Sequence, residues 1–205
     1  MNANTMTLEE LLRAFSDPSP TPGGGSAAAL GAAIGLALLT MVAGMGRTRH
    51  GSDADRRSLD AAAEALVHLR DRAAALVSED AEAYEAVMGA YRLPKAEPDE
   101  QARRREAIQD ALRGSADVPL QVVRLCHAGL TAAGDVARHG SPAAASDVGV
   151  ALALLTAAAR GAALNVRTNL ASIRDQEFTR GVEEELSALG SSVEELAGEA
   201  SAVLA

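Results

Sequence analysis

Ser19-Pro20-Thr21-Pro22-Gly23-Gly24-Gly25-Ser26 leads into a segment with no charged residue as far as Gly46. The prolines stop any preceding helix and fix φ, and the glycines let the backbone approach another group closely. Ser26 is placed to cap the helix that follows, whose first N–H groups have no internal partner. Free N–H groups beside glycines form a site for an anion or for the polar edge of a ligand. The charge-free segment is long enough to span a bilayer, and Gly31 and Gly35 form a GxxxG pair. It is mostly Ala and Gly, has no aromatic belt, and follows the acidic Glu9, Glu10 and Asp17, so it suits neither a membrane anchor nor a secretory signal. It reads as a central helix, apolar on every side because protein surrounds it, with part of it facing another subunit.

The rest of the chain agrees with helices. At 205 residues it can bury one sizeable core. The hydrophobic fraction of 48% is carried by Ala, Leu and Val, and aromatics make up only 2%. Such composition favours helices packed through small side chains, and no alternating run announces a sheet. A net charge of −9 without a basic stripe argues against nucleic acid as a partner. Cys126 is the only cysteine, which suits a reducing cytoplasm, and its setting is that of a small core residue. His50, His68, His127 and His139 show no close ligand spacing, so no metal site is expected. Lys95 is the only lysine among nineteen basic residues. Biased coding explains this, or else Lys is kept where a compact, tunable charge is needed.

Thr7 to Glu10 reads as a capping box for a short helix ending near Phe15. After the central helix and a polar turn with Ser52 as cap, a long helix runs from about Ala54 to Ala90. Its seam is Leu59, Ala62, Leu66, Leu69, Ala73, Leu76, Asp80, Ala83 and Val87. Asp80 is the odd member: a carboxylate on an apolar seam has a partner, a wet groove or a chemical task. Leu93 to Pro98 is a loop. The next helix extends to about Gly140, with Pro119 a kink or a fresh start after a break near Gly114. Its Arg103, Arg104 and Arg105 form a solvated face or attract an acidic substrate tail. Ser141 and Pro142 open a helix to about Leu170. Ser146 and Asp147 lie near its start, and Asn165, Arg167 and Asn169 near its end, like two rims of a pocket. A last helix begins at Asp175 or Thr179 and ends near Leu204. One all-α domain over residues 1–205 follows: a bundle of long antiparallel helices around the Ala/Gly-rich helix.

These landmarks resemble the cyclodeaminase/methenyltetrahydrofolate cyclohydrolase family, which includes the C-terminal domain of formiminotransferase-cyclodeaminase. The resemblance covers nearly the whole chain. It rests on Pro20 to Ala29, Glu79 to Tyr84, Ala90 to Lys95, Val118-Pro119-Leu120, Ser146 to Ala151 and Gly161 to Leu170. Ser141 stands where the family pattern has Asn, and Thr168 replaces a usual aliphatic residue. The resemblance implies an all-α homodimer with a folate ligand in a groove lined by these blocks. It implies work on the one-carbon unit between N5 and N10 of tetrahydrofolate, with no metal or redox cofactor beyond the tetrahydrofolate derivative itself. The expected activity is formiminotetrahydrofolate cyclodeamination, giving 5,10-methenyltetrahydrofolate and ammonia. The alternatives are methenyltetrahydrofolate hydrolysis to 10-formyltetrahydrofolate, and folate binding without turnover.

Either reaction passes through a tetrahedral carbon between two nitrogens, with one proton removed and one delivered. Burial can raise a carboxylate pKa toward neutrality for such work. Asp80 is the first candidate. Asp147 is the second, sharing that work or holding the amino-pyrimidine edge of the pterin. Lys95 donates a proton to the departing ammonia or fixes substrate charge. The Gly23, Gly24, Gly25 and Ser26 backbone holds a polar ligand edge, and the resemblance places Pro22 and Tyr84 with it. Asn165, Arg167 and Asn169 orient the folate or its glutamate tail, whose carboxylates need local cations in so acidic a protein.

Overall fold

The computed structural model describes residues 5–204. Six α-helices make up the architecture: α1 Leu8–Ser16, α2 Gly24–Ala43, α3 Asp53–Arg92, α4 Pro98–His139, α5 Ala145–Leu170 and α6 Gln176–Leu204. A 3-10 turn, Pro142–Ala144, precedes α5. There is no named strand among the described residues, only an isolated bridge between Thr48 and Gly140.

The helix ends follow their sequence signals. Thr7 and Glu10 form the capping box of α1: the Glu10 amide donates to Thr7 Oγ1 at 3.3 Å, and the Thr7 amide donates to Glu10 Oε2 at 2.8 Å. Ser52 caps α3, its Oγ accepting from the Asp55 amide at 3.1 Å. Asp175 caps α6, with Oδ1 accepting from the Phe178 amide at 3.0 Å. Two expectations need correction. Ser141 makes no side-chain cap, and the 3-10 turn intervenes before α5. Pro119 neither breaks nor restarts α4, which runs through it for 42 residues, because the buried ring packs in the core and tertiary contacts outweigh the lost helical bond.

α2, α3, α4 and α5 form a four-helix arrangement in which each packs antiparallel to its neighbours. α2 and α5 run side by side, with Gly24 against Asn165 at one end and Gly35 against Ala151 and Leu155 at the other. A Cβ on Gly35 would lie 3.0 Å from Leu155 Cγ and 3.1 Å from the Ala151 carbonyl oxygen, so this glycine serves close helix packing within the chain. α6 lies outside, against α4 and α5. Bidentate bonds from Arg124 to Glu185 and from Arg160 to Glu194 hold it there. The core is built from Leu36, Leu39, Leu59, Leu66, Leu76, Leu130 and Leu155, all fully buried, with alanines between them. Cys126 belongs to it, and burial pushes its thiol up to about 12, which removes it as a nucleophile at neutral pH.

The central helix departs from its expected surroundings. α2 is not covered on every side: Ile34 and Met41 are each 47% exposed, and Ala27 and Ala37 lie on the same open face. α5 continues that face with Val150, Ala157 and Leu164. Both α2 and the stretch Pro142–Leu170 are long and apolar enough to cross a membrane, by length and composition alone, and 56% of the apolar stretch of α2 is buried inside the bundle.

Candidate active site

The glycine run places the start of α2 one turn earlier than the Ser26 cap would have done. Gly23 is the N-cap, in extended conformation and with no side-chain bond, and its carbonyl accepts from the Ala27 amide at 3.0 Å. Ser26 is therefore carried into the first turn and is fully buried. Its hydroxyl donates to Asp80 Oδ2 at 2.8 Å. The predicted cap is instead the partner of the predicted acid.

Asp80 is half-buried where the α3 seam opens into a groove. It reaches α2 only because residue 25 has no side chain: a Cβ there would lie 2.1 Å from Asp80 Oδ1 and 2.6 Å from its Cγ. The triglycine thus serves two ends. It opens a helix without a side-chain cap, leaving the first amides of α2 free, and it admits a carboxylate against the backbone.

The groove is a pocket of about 290 Å³ lined by Pro20, Thr21 and Gly23–Gly25 from the loop and α2, Asp80, Tyr84 and Val87 from α3, Leu112 and Ser115 from α4, and Asn165 and Asn169 from α5. Asp80, Tyr84 and Val87 recur at i, i+4 and i+7, so they stand on one face of α3. Asn165 Nδ2 donates to the Gly161 carbonyl at 3.0 Å, which turns its amide onto Gly24.

Asn169 has a more specific reason to be there. Pro119 has no N–H, so the Ser115 carbonyl four residues earlier has no helical donor. Asn169 Nδ2 donates to that Ser115 oxygen at 2.6 Å. A proline inside α4 therefore fixes an asparagine of α5 at the pocket wall. The sequence displayed both residues but not their pairing. Pro20 and Thr21 line it as the resemblance implied for their block, whereas Ser115, Leu112 and Val87 were not foreseen as lining, and the missing N–H of Pro119 was the one signal that could have pointed to Ser115.

Four predicted residues lie elsewhere in this chain. Asp147 sits at the opposite end of α5 from Asn165, 18 positions away or about 27 Å along the helix. The two polar ends of α5 are thus not rims of one pocket, because a straight helix holds them apart. Lys95 is exposed in the loop after α3, fifteen residues beyond Asp80, and lines a separate depression with Gln101, Arg104 and Arg105. Arg167 turns toward α6, 3.7 Å from Glu183. It lines a second groove of about 310 Å³ between α5 and α6, with Arg160, Leu164 and Leu186. Pro22 is buried behind the loop and does not line the pocket. Among the described residues, no group of three or more His, Cys, Asp or Glu side chains is arranged to hold a metal.

The pocket has one charged side chain, Asp80, whose Oδ1 is left open by the Ser26 bond. Around it stand helix-end amides, a phenol and two carboxamides. This set can accept from a polar heterocycle edge, attract a cationic centre, and take up or return a proton.

The chain matches the family described as formiminotransferase-cyclodeaminase over residues 7–188. It is 38% identical over 190 residues to a methenyltetrahydrofolate cyclohydrolase of Methylorubrum extorquens, covering 91% of this chain and 90% of that protein. It is 33% identical to the formimidoyltransferase-cyclodeaminase of Gallus gallus over 85% of its own length, but spans only 32% of that longer protein. The crystal structure of a formiminotetrahydrofolate cyclodeaminase from Thermotoga maritima superposes with a TM-score of 0.87 at 29% identity, over 98% of this chain and 96% of that one.

Proposed function

The chain belongs to the formiminotransferase-cyclodeaminase family and is an enzyme of tetrahydrofolate one-carbon chemistry; from that premise we propose that it hydrolyses 5,10-methenyltetrahydrofolate to 10-formyltetrahydrofolate at the Asp80 pocket. The observation that carries the site of this reaction is the charge of the pocket. Its one carboxylate stands among neutral groups, with no cation in the lining. The N5–C–N10 bridge of the methenyl compound is an amidinium, as is a protonated formimino group, and a lone carboxylate attracts either. The full-length likeness to a cyclohydrolase favours hydrolysis of the two.

In this mechanism the Asp80 carboxylate takes a proton from water as its oxygen bonds to the bridging carbon. Protonated Asp80 then returns a proton to N5 as the C–N5 bond breaks and the hydroxyl proton is lost, leaving the formyl group on N10. The net reaction releases one proton. Ser26 holds Oδ2 so that Oδ1 faces the substrate, and the amides of Gly24 and Gly25 receive a polar edge of the pterin. Asn165 and Asn169 orient the ring.

Cyclodeamination is the second reading, favoured by the likeness to the Thermotoga enzyme. There the same carboxylate moves a proton from N10 to the departing amine. Absorbance separates the two, since only the methenyl compound has the near-ultraviolet band. Decay of that band above the enzyme-free rate, with 5-formiminotetrahydrofolate left unchanged, is the expected result. Growth of the band from the formimino substrate would assign deamination, and no change with either would reject both.

We read the enzyme as a cytoplasmic homodimer that needs no resident metal or redox cofactor and binds neither membrane nor nucleic acid. The adjoining apolar faces of α2 and α5 are the surface a second copy covers, since a wide uncharged face is costly to leave in water. Ile34→Asp should give monomers by light scattering with helicity retained. A dimer unchanged by that substitution would place the interface elsewhere.

A further inference from the structure

Asp147 is a carboxylate that the reaction above does not use. It is half-buried in the first turn of α5 and has no hydrogen-bond or ion-pair partner among the described residues. A partly buried charge without a partner is costly to keep unless something outside the chain uses it. Asp147 and Asn165 are 18 positions apart, five whole turns, so they stand on the same side of α5 about 27 Å from one another. That side adjoins α2, where Gly24 faces Asn165, Gly31 faces Ala158 and Gly35 faces Leu155. Ile34, the middle of the exposed α2 stripe from Ala27 to Met41, is therefore close to the level of Thr156, which is midway between Asp147 and Asn165. Gly24 and Asn165 both line the Asp80 pocket, and Gly24 is exposed one turn before Ala27. The pocket thus has an edge at one end of the apolar face that α2 and α5 share, and Asp147 lies at the other end.

The charges of α5 select how a second copy lies on that face. Its 26 residues carry three charges, Asp147 at the start and Arg160 and Arg167 toward the end, and α2 carries none. Parallel pairing of the two faces would set Asp147 against Asp147 and arginine against arginine. Antiparallel pairing sets the acidic start of one α5 beside the basic end of the other, and it opposes their helix dipoles. The two-fold axis of that arrangement crosses the helices at the level of Ile34. It exchanges the levels of Asp147 and Asn165, and so carries Asp147 of the partner subunit over the edge formed by Gly24 and Asn165.

We propose that Asp147 of the partner subunit completes the Asp80 pocket and accepts the N–H groups of the pterin's amino-pyrimidine edge. That edge presents a ring N–H and an amino group side by side, and a carboxylate takes both in a two-pronged bond. Within a single chain the one carboxylate in the pocket is Asp80, which the reaction occupies. Each site is then built from two copies, with the acid–base group from one and the pterin anchor from the other. This rests on the folate and dimer readings given above.

Subunit mixing tests it. For the folate that the wild type turns over, Asp147→Ala should lower kcat/KM about tenfold to a hundredfold, mostly through KM, with helicity and dimer mass unchanged. Asp80→Asn should fail in kcat instead. Heterodimers of the two variants, co-expressed with different tags and purified through both, should regain about half of the wild-type kcat/KM per dimer. One of their pockets pairs Asp80 with the partner's Asp147, and the other carries both substitutions. Heterodimers no better than the mean of the two parents, or an unimpaired Asp147→Ala enzyme, would overturn the proposal while leaving both readings in place. Wild-type monomers in light scattering would remove the dimer reading and the proposal with it, and a wild type inactive on both folates would remove the folate reading.

Discussion

Asp55 and Asp80 stand on the same helix, 25 residues or about 37 Å apart, and do opposite things. Asp55 is 3% exposed and crowded with donors. His139 Nδ1 lies 2.8 Å from Oδ1, the His50 amide donates to Oδ2 at 2.9 Å, and Thr48 Oγ1 donates to Oδ2 at 3.3 Å. The His139 bond, helped by the His50 amide, holds the Asp55 carboxyl well below the usual carboxylate range in spite of burial. The Arg49 amide closes the same corner by donating to the His139 carbonyl at 2.9 Å. Asp80 is half-buried, has Ser26 as its donor, and faces a pocket. A carboxylate whose acceptor sites are filled ties segments together, whereas one with an open oxygen is available to a substrate.

The largest expected effect breaks the open end. Asp80→Asn should lower turnover by about 10²–10⁴-fold with unchanged circular dichroism, as loss of a general base does. Gly25→Ala should lower it by about the same route, because the new Cβ collides with Oδ1 and expels the carboxylate. Near-normal steady-state rates in either variant would end the role given to Asp80.

Asp55→Asn should act the other way, lowering the melting temperature by about 5 °C or more in a chain of this size while leaving the Asp80 pocket intact. The pH dependence has a definite sign. A depressed carboxyl stabilises the fold above its unfolded value near 4 and loses that contribution as pH falls toward the folded value. Thermal melts of the wild type should therefore weaken steeply from about pH 4 to pH 2, and those of Asp55→Asn more gently. Parallel curves would mean that Asp55 is not the clasp described.

Smaller effects sharpen the contrast. Ser26→Ala should cost about tenfold in kcat/KM, the worth of one hydrogen bond to a charged group, with little change in melting. Asn169→Ala should cost about 1 kcal/mol, and less in a Pro119→Ala background, where the Ser115 carbonyl regains a helical donor. Additive costs in that cycle would show the two residues to be independent.

Much of the architecture was present in local patterns. Capping signals placed the starts of α1 and α3 but not those of α2 and α5, and the heptad seams of α3 and α6 predicted buried Leu66, Leu76, Leu186 and Val193. Asp80 was conspicuous because one charge interrupts an otherwise apolar stripe. Asn165 and Asn169 were legible as neighbours because positions four apart share a helical face. Lys95, Asp147 and Arg167 were assigned to the same site from their place in the chain and the family resemblance, and neither contains the distance between helix ends.

The sequence by itself determined that this chain is all helical, where α1 and α3 start, and that a glycine loop and an aspartate on an apolar seam stand out. Those features are written in short-range periodicity, in φ preferences and in the cost of burying charge. Only the tertiary structure decided that Ser26 is Asp80's partner rather than a cap, that Pro119 creates the vacancy Asn169 fills, and that Lys95 lies in a depression apart from the Asp80 pocket. Each depends on which faces of different helices meet, and that is fixed by long-range packing.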